Sequence, residues 1–159
     1  MDPCLHRDDK EGFKMISSNL SNRLIFVFSL LGLAVASFLL YEYSLSGPIV
    51  CPTGIGCDIV RASPYSNFFG IPIPILGVIF YLTMAVLSVI HTHELPRKLI
   101  RKLQLLIAVA GVGFGVYLTF LEGFVIKAFC FWCVLSFIIS IIILLAIIAA
   151  RKVNHDNGN

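Results

Sequence analysis

The sequence feature that most constrains this chain is a pair of cysteines at the opening of a long apolar run. Cys130 and Cys133 enclose Phe131 and Trp132, and the following residues 134–150 are almost entirely apolar. Thiols three positions apart lie on the same side of a helix, within reach of a disulfide bond. The first turn of a helix also presents unpaired N–H groups, which favour the thiolate of Cys130. The motif therefore predicts either a redox-active dithiol or two small buried residues, because free cysteine is commonly buried.

Composition favours an integral membrane protein. The 159 residues are 58% hydrophobic and 13% charged, whereas soluble domains are about 45–50% apolar and about 25% charged. The net charge of +3 is small and is not gathered into a patch for nucleic acid. Nothing in the chain resembles a phosphate loop or a metalloprotease helix. The length allows a single domain.

Four apolar runs are each long enough to cross a bilayer. A hydrocarbon core about 30 Å thick needs about 20 helical residues. Small residues four positions apart, at Gly32 and Ala36 and again at Gly111 and Gly115, predict close packing between helices. The predicted fold class is therefore an all-α membrane protein, a bundle of four transmembrane helices with a long extracytoplasmic loop between the first two. The predicted spans are residues 24–43, 71–90, 103–121 and 128–150, between cytoplasmic tails at residues 1–23 and 151–159.

The distribution of lysine and arginine predicts the orientation of this bundle. Four spans place both termini and the loop between the second and third spans on one side of the membrane. That side carries ten basic residues and the opposite side carries two, and such an excess marks the cytoplasmic face. The ten are Arg7, Lys10, Lys14, Arg23, Arg97, Lys98, Arg101, Lys102, Arg151 and Lys152, and the two are Arg61 and Lys127.

This orientation gathers four of the five cysteines at the extracytoplasmic face, where disulfides form and persist. Cys51 and Cys57 lie in the long connection between the first two spans, in which proline and glycine force turns. Cys130 and Cys133 lie at the outer end of the fourth span, whereas Cys4 is a lone thiol in the N-terminal tail. Disulfide exchange proceeds through direct contact between sulfurs. The pattern therefore predicts electron transfer from a protein dithiol to the mobile loop pair, then to the rigid helix pair, then to a lipid-soluble acceptor.

The order of these motifs resembles the vitamin K epoxide reductase family, and most closely its bacterial and archaeal members. A C-x-x-C motif alone has little specificity, but four cysteines, a serine after the loop pair and an F-G-I-P segment in this order on four spans are highly specific. The likeness covers about residues 24–150. It is carried by Cys51-x5-Cys57-Asp58, Arg61-Ala62-Ser63-Pro64-Tyr65-Ser66, Phe69-Gly70-Ile71-Pro72, Gly77, Tyr81 and Cys130-Phe131-Trp132-Cys133.

The resemblance implies a quinone-dependent enzyme that reoxidises thioredoxin-like proteins, which in turn introduce disulfides into exported proteins. By matching position, Cys51 would exchange with the partner and Cys57 would attack Cys130. Cys133 would then face and reduce the quinone, of ubiquinone, menaquinone or phylloquinone type. Because the sequence ends without the thioredoxin-like domain fused to many prokaryotic members, we expect the partner to be a separate extracytoplasmic protein. The candidate quinone-pocket residues are Ser63, Phe69, Tyr81, Tyr117, Phe131 and Trp132.

Several alternatives remain open from the sequence. Four cysteines in two pairs also fit a zinc site of four thiolates, or a non-enzymatic scaffold whose disulfides only cross-link the outer loop. Ser63 is either a residue near the helix pair or a hydroxyl that ends a short helix, and Phe131 and Trp132 are either pocket residues or membrane-interface anchors. Glu122 either hydrogen-bonds or protonates the quinone, or is a solvated residue at a helix end. The spacing allows Cys51–Cys57 together with Cys130–Cys133, or a Cys57–Cys130 bridge.

Overall fold

The architecture is a helical bundle capped at one end by a structured loop. This computed structural model describes residues 5–45, 47–52, 54–90 and 97–155, and side chains within residues 20–45, 47–52, 54–90 and 99–151. Cys4 lies outside the described residues. Within them, the elements in chain order are α1 (Leu5–Ser44), α2 (Gly56–Ala62), β1 (Asn67–Phe68), β2 (Ile71–Pro72), α3 (Ile73–Ile90), α4 (Arg97–Phe120) and α5 (Phe131–His155), with a 3₁₀ turn at Pro64–Ser66 and a π-helical stretch at Leu121–Ile126.

Four stretches of the described chain are long and apolar enough to cross a membrane. The prediction of an all-α fold with four transmembrane helices is confirmed. Apolar side chains such as Leu106 and Leu145 are exposed on the outside of the bundle, as expected for surfaces whose solvent is lipid. The stretches are Leu20–Ser44, Ile73–Ile90, Leu99–Ile126 and Phe131–Arg151.

Small residues set how closely the long helices approach one another. Helix α1 packs along α3 and α5, and α4 packs on α5. A Cβ at Gly32 would overlap the Tyr81 ring of α3, and one at Gly115 would overlap the Phe137 ring of α5. The predicted helix-packing role of these glycines is therefore confirmed. The buried core of the bundle consists of Ile25, Ala36, Tyr81, Met84, Ala108, Ile139, Ile143 and Ile147.

The helix boundaries differ from the predicted spans where local hydrogen bonds or strand pairing intervene. Helix α1 already begins at Leu5. The third span continues through the π-helical stretch, which ends where Lys127 adopts a left-handed conformation with φ of 56°. The Ala128 N–H then donates back to the Glu122 carbonyl over 3.1 Å. Helix α5 therefore begins at Phe131, three residues later than predicted.

The loop between α1 and α3 contains the predicted short helix and a hairpin. Helix α2 ends where the Ser63 N–H and hydroxyl both donate to the Val60 carbonyl. Strands β1 and β2 then pair in an antiparallel hairpin. Its two turn residues, Phe69 and Gly70, have positive φ angles of 51° and 81°, as a type I′ turn requires. Because the residues 71–72 pair in this hairpin, α3 begins at Ile73.

Candidate redox site

All four cysteines of the predicted relay lie in one cluster at the loop end of the bundle. Cys57 and Cys130 are its buried members, with 1% and 2% of their surface exposed. Cys51 and Cys133 are partly buried and pack against it. The fold therefore brings the loop pair and the helix pair together, although more than seventy positions separate them in the sequence. The apolar members of the cluster are Leu39, Ile49, Val60 and Ala128.

The two pairs have different oxidation states in this structure. Cys51 and Cys57 form a disulfide with a Cα–Cα distance of 6.0 Å, and Cys130 and Cys133 are free thiols. The sequence allowed either a Cys51–Cys57 disulfide together with Cys130–Cys133, or a Cys57–Cys130 bridge. The structure has the Cys51–Cys57 disulfide, and Cys57 is not bridged to Cys130. A disulfide supplies no thiolate to a metal, so in this state the four cysteines do not form the alternative zinc site.

One close approach explains how α2 places Cys57 beside the helix pair. Gly56, the first residue of α2, lies directly against the main-chain carbonyl of Phe129, and a Cβ there would overlap its oxygen. Cys57 follows Gly56, and Cys130 follows Phe129. The absence of a side chain at Gly56 therefore allows the residues next to both cysteines to touch. The sequence offered one signal for this contact, a glycine immediately before a predicted redox cysteine, but only the structure identifies the partner.

Hydrogen bonds hold the loop onto the ends of α1 and α5. The Asp58 carboxylate accepts from the Ile49 N–H over 2.9 Å. The Arg61 guanidinium donates to the carbonyls of Glu42 and Leu45 over 3.4 and 3.3 Å. The Trp132 indole N–H, within the C-x-x-C motif, donates to the Val50 carbonyl over 2.8 Å. The residue before Cys51 is therefore tied to the helix that carries the other pair.

Cys130 occupies the N-cap of α5. Its carbonyl accepts from the Val134 N–H over 3.1 Å, so it lies at the start of the helix as the sequence predicts. The hydrogen bond from the Cys133 thiol holds the pKa of the Cys130 thiol below its usual value, helped by the main-chain N–H groups of Cys133 and Trp132. Burial and the Glu122 carboxylate oppose this shift without reversing it. Of the two thiols, Cys130 is therefore the one whose thiolate form is favoured.

Glu122 lies against both thiols. Only 3% of its surface is exposed, so it is not the solvated helix-end residue of one alternative. Its carboxylate oxygen Oε2 accepts from the Cys130 N–H over 3.2 Å. A carboxylate oxygen and the sulfurs of Cys130 and Cys133 lie within 4.8 Å of one another. At this separation the carboxyl group can exchange protons with either thiol.

An apolar cavity of about 320 Å³ opens beside Cys133. Its size lies within the range of small-molecule sites. Its few polar groups include Glu122 and the Tyr81 hydroxyl, which donates to the Ser136 carbonyl over 2.7 Å. Phe68 of the hairpin also lines the cavity and contacts the Phe114 ring of α4, with 5.7 Å between centroids. The cavity has room for a small apolar molecule beside the Cys133 side chain.

The candidate pocket residues divide into two groups by position. Tyr81 and Trp132 line the cavity, and Ser63, Phe69, Tyr117 and Phe131 are not among its lining residues. Phe69 lies at the tip of the hairpin with 92% of its surface exposed. The cavity residues that the sequence did not single out come from five separate elements, α1, β1, α3, α4 and α5, so no short motif identifies them. They include Phe68 of β1, Phe114 and Thr119 of α4, and Ser136 of α5.

The fold and the site together define a class of protein. Four membrane-spanning helices carry a disulfide and a dithiol in one buried cluster beside an apolar cavity. A family model described as the vitamin K epoxide reductase family matches residues 23–148. The chain belongs to that family and is a membrane thiol–disulfide oxidoreductase.

Proposed function

We propose that this protein passes electrons from a reduced thioredoxin-like protein to a membrane quinone and thereby supports disulfide formation in exported proteins. The observation that carries this proposal is the single cluster of four cysteines, oxidised at the loop and reduced beside the cavity. Family membership supports the oxidoreductase class. The excess of lysine and arginine on the opposite side supports an extracytoplasmic position for the cluster.

The difference in exposure between the two loop cysteines supports an order for the exchange steps. Cys51 is partly exposed while Cys57 is buried, so a thiolate of the soluble partner attacks Cys51. A second partner thiolate then releases Cys51, leaving the partner oxidised and the loop pair reduced by two electrons. Cys57, which lies in the same buried cluster as Cys130, attacks it when Cys130 and Cys133 form a disulfide. Cys51 then attacks Cys57 of the resulting Cys57–Cys130 disulfide and releases Cys130, so that the loop disulfide re-forms and the helix pair holds the two electrons.

The second half of the cycle takes place at the cavity. A quinone supplies a two-electron, two-proton acceptor when it is bound there. Tyr81, Trp132 and Phe68 would hold its ring, because their side chains line the cavity. Cys133 both lines that cavity and neighbours Cys130, so its sulfur delivers the electrons as the Cys130–Cys133 disulfide closes.

The test is anaerobic quinone reduction by the purified protein in detergent, with a reduced thioredoxin-like protein as donor. We expect quinol formation that is lost in Cys133→Ala. Cys51→Ala should lose activity with the protein donor and retain it with a small dithiol that reaches the helix pair directly. Cys4→Ala is the matched cysteine control and should behave as the wild type. Folded wild-type protein that forms no quinol with any quinone would overturn the proposal.

A further inference from the structure

We propose that Glu122 is a catalytic acid–base group that takes the proton of the Cys133 thiol and passes it to the acceptor in the cavity. This inference rests on the proposed function and adds to it the route of one proton. A dithiol that becomes a disulfide loses two electrons and two protons, whereas the cysteine relay accounts only for the electrons. A quinone step therefore needs a group that moves protons within the apolar site.

The buried position of the Glu122 carboxyl group is energetically costly. A buried ionised group is ordinarily paired with an opposite charge. Among the described side chains the salt bridge that forms is Arg61 to Asp58, so Glu122 has no such partner there. Its hydrogen bond from the Cys130 N–H is retained in either protonation state, because each oxygen accepts. An ionisable residue kept in a membrane-spanning helix at this cost is by default a functional candidate.

Glu122 lies close both to the two thiols and to the cavity. A carboxylate oxygen of Glu122 and the sulfurs of Cys130 and Cys133 lie within 4.8 Å of one another. Glu122 and Cys133 also line the same cavity of about 320 Å³. The carboxyl group therefore borders both the sulfur that loses a proton and the space that the acceptor occupies. The π-helical stretch contributes to this position, because its wider turn departs from the ordinary helical register at Leu121–Ile126.

Protons and electrons balance in this scheme. Cys130 begins as the thiolate and Cys133 as the thiol. As the sulfur–sulfur bond forms, the S–H bond of Cys133 breaks and its proton moves to the Glu122 carboxylate, while two electrons pass to the acceptor. Glu122 then gives that proton to an oxygen of the acceptor, and water at the outer face supplies the second proton. The products are a disulfide, a quinol, a regenerated carboxylate and the hydroxide left by that water.

Among the described residues, few other titratable groups face the Glu122 carboxyl group. The thiols of Cys130 and Cys133 face it from the N-terminal end of α5. The hydroxyls of Tyr43 and Tyr65 belong to residues that line a second, small cavity of about 20 Å³ with it. The pH dependence of quinone reduction should therefore be measured in Glu122→Gln, Tyr43→Phe and Tyr65→Phe. A change in Glu122→Gln that neither tyrosine variant shows belongs to the carboxyl group.

The experiment isolates the quinone step. Protein reduced beforehand at the helix pair is mixed with quinone under anaerobic conditions, and the single turnover is followed by quinone absorbance over a range of pH. General acid–base groups contribute about 10²–10⁴-fold in rate, so we expect Glu122→Gln to slow the step by about 10²-fold or more near neutral pH. The rate of this variant should rise with pH as the unassisted Cys133 thiol ionises, while the wild-type rate changes little. Glu42→Gln is the matched control, because Glu42 is also buried and also accepts a main-chain N–H, that of Val50.

The outcomes separate this inference from the function on which it rests. If the wild type reduces no quinone, the proposed function fails. If the wild type is active and Glu122→Gln matches it in rate and pH profile, only the proton role of Glu122 is overturned. Glu122→Asp, which keeps a carboxyl group, covers the case in which Glu122→Gln does not fold. We expect this variant to be slower than the wild type with the same shallow pH profile, and a rate that climbs steeply with pH would contradict the proposal.

Discussion

Replacing Gly56 by alanine tests whether the contact between α2 and the segment before α5 brings the two cysteine pairs together. A Cβ at this position would overlap the Phe129 carbonyl oxygen and lie 3.4 Å from the carbonyl carbon. Backbone atoms do not rotate away as a side chain does, so α2 must move. Added atoms in a well-packed site cost about 1–3 kcal/mol. If this cost falls on the state in which Cys57 meets Cys130, electron transfer between the pairs slows by about 5-fold to about 160-fold.

The assay starts from protein with a reduced loop pair and an oxidised helix pair, and follows thiol transfer by rapid acid quench and mass-resolved labelling. The matched control is Gly47→Ala, in the same loop, because a Cβ there meets nothing within 4 Å. We expect Gly47→Ala to transfer electrons at the wild-type rate. Direct reduction of quinone from a reduced helix pair should be unaffected in both variants. Equal transfer rates in Gly56→Ala and Gly47→Ala would refute the argument that this contact aligns the pairs.

Three further predictions follow from single contacts. Gly115→Ala should lower the free energy of unfolding of the detergent-solubilised protein by about 1–3 kcal/mol, seen as a lower thermal unfolding midpoint, because the added Cβ overlaps the Phe137 ring. Gly113→Ala should leave the midpoint unchanged, because a Cβ there meets nothing within 4 Å. Tyr81→Phe should cost about 1 kcal/mol in the same measurement, because it removes the hydrogen bond to Ser136. The ultraviolet absorbance of the Cys130 thiolate should persist to lower pH than that of an ordinary thiol, and Cys133→Ala should move its midpoint to higher pH, because the main hydrogen bond to the thiolate is lost.

The elements with a strong local signal were predictable from the sequence. The apolar runs predicted four spanning helices, and the turn residues around Cys57-Asp58-Ile59-Val60-Arg61-Ala62 predicted α2 with Ser63-Pro64 at its end. These predictions depend only on residues within one or two helical turns of each other, because apolar periodicity and turn residues indicate where a helix runs and ends. The same local rules predicted that Cys130 begins a helix. The resemblance of the motif order to one family added the roles of the cysteines, which no local rule supplies.

The features that build the site lack such a signal. Left-handed conformations ordinarily indicate glycine or asparagine, but here Phe69 and Lys127 adopt them, so neither the hairpin turn nor the end of the third span is marked in the usual way. The π-helical stretch that carries Glu122 has no distinct composition. The contact from Gly56 to Phe129 and the cavity lining both join distant parts of the chain, and a single sequence records no such pairing.

The arrangement of the two pairs fits the different requirements of their proposed reactants. A folded protein donor needs a sulfur at the surface, and partly exposed Cys51 provides it. A lipid-soluble acceptor needs a sulfur at an apolar cavity, and Cys133 provides that. Two different pairs meet these requirements here, with Cys57 and Cys130 as their buried members. Cys57 and Cys130 are both buried, so a folded protein donor does not reach them, and electrons accepted at Cys51 would pass between these two sulfurs toward the cavity. We therefore expect the proposed relay to need all four cysteines, and the loop contacts at Gly56 and Trp132 to affect the rate of its middle step.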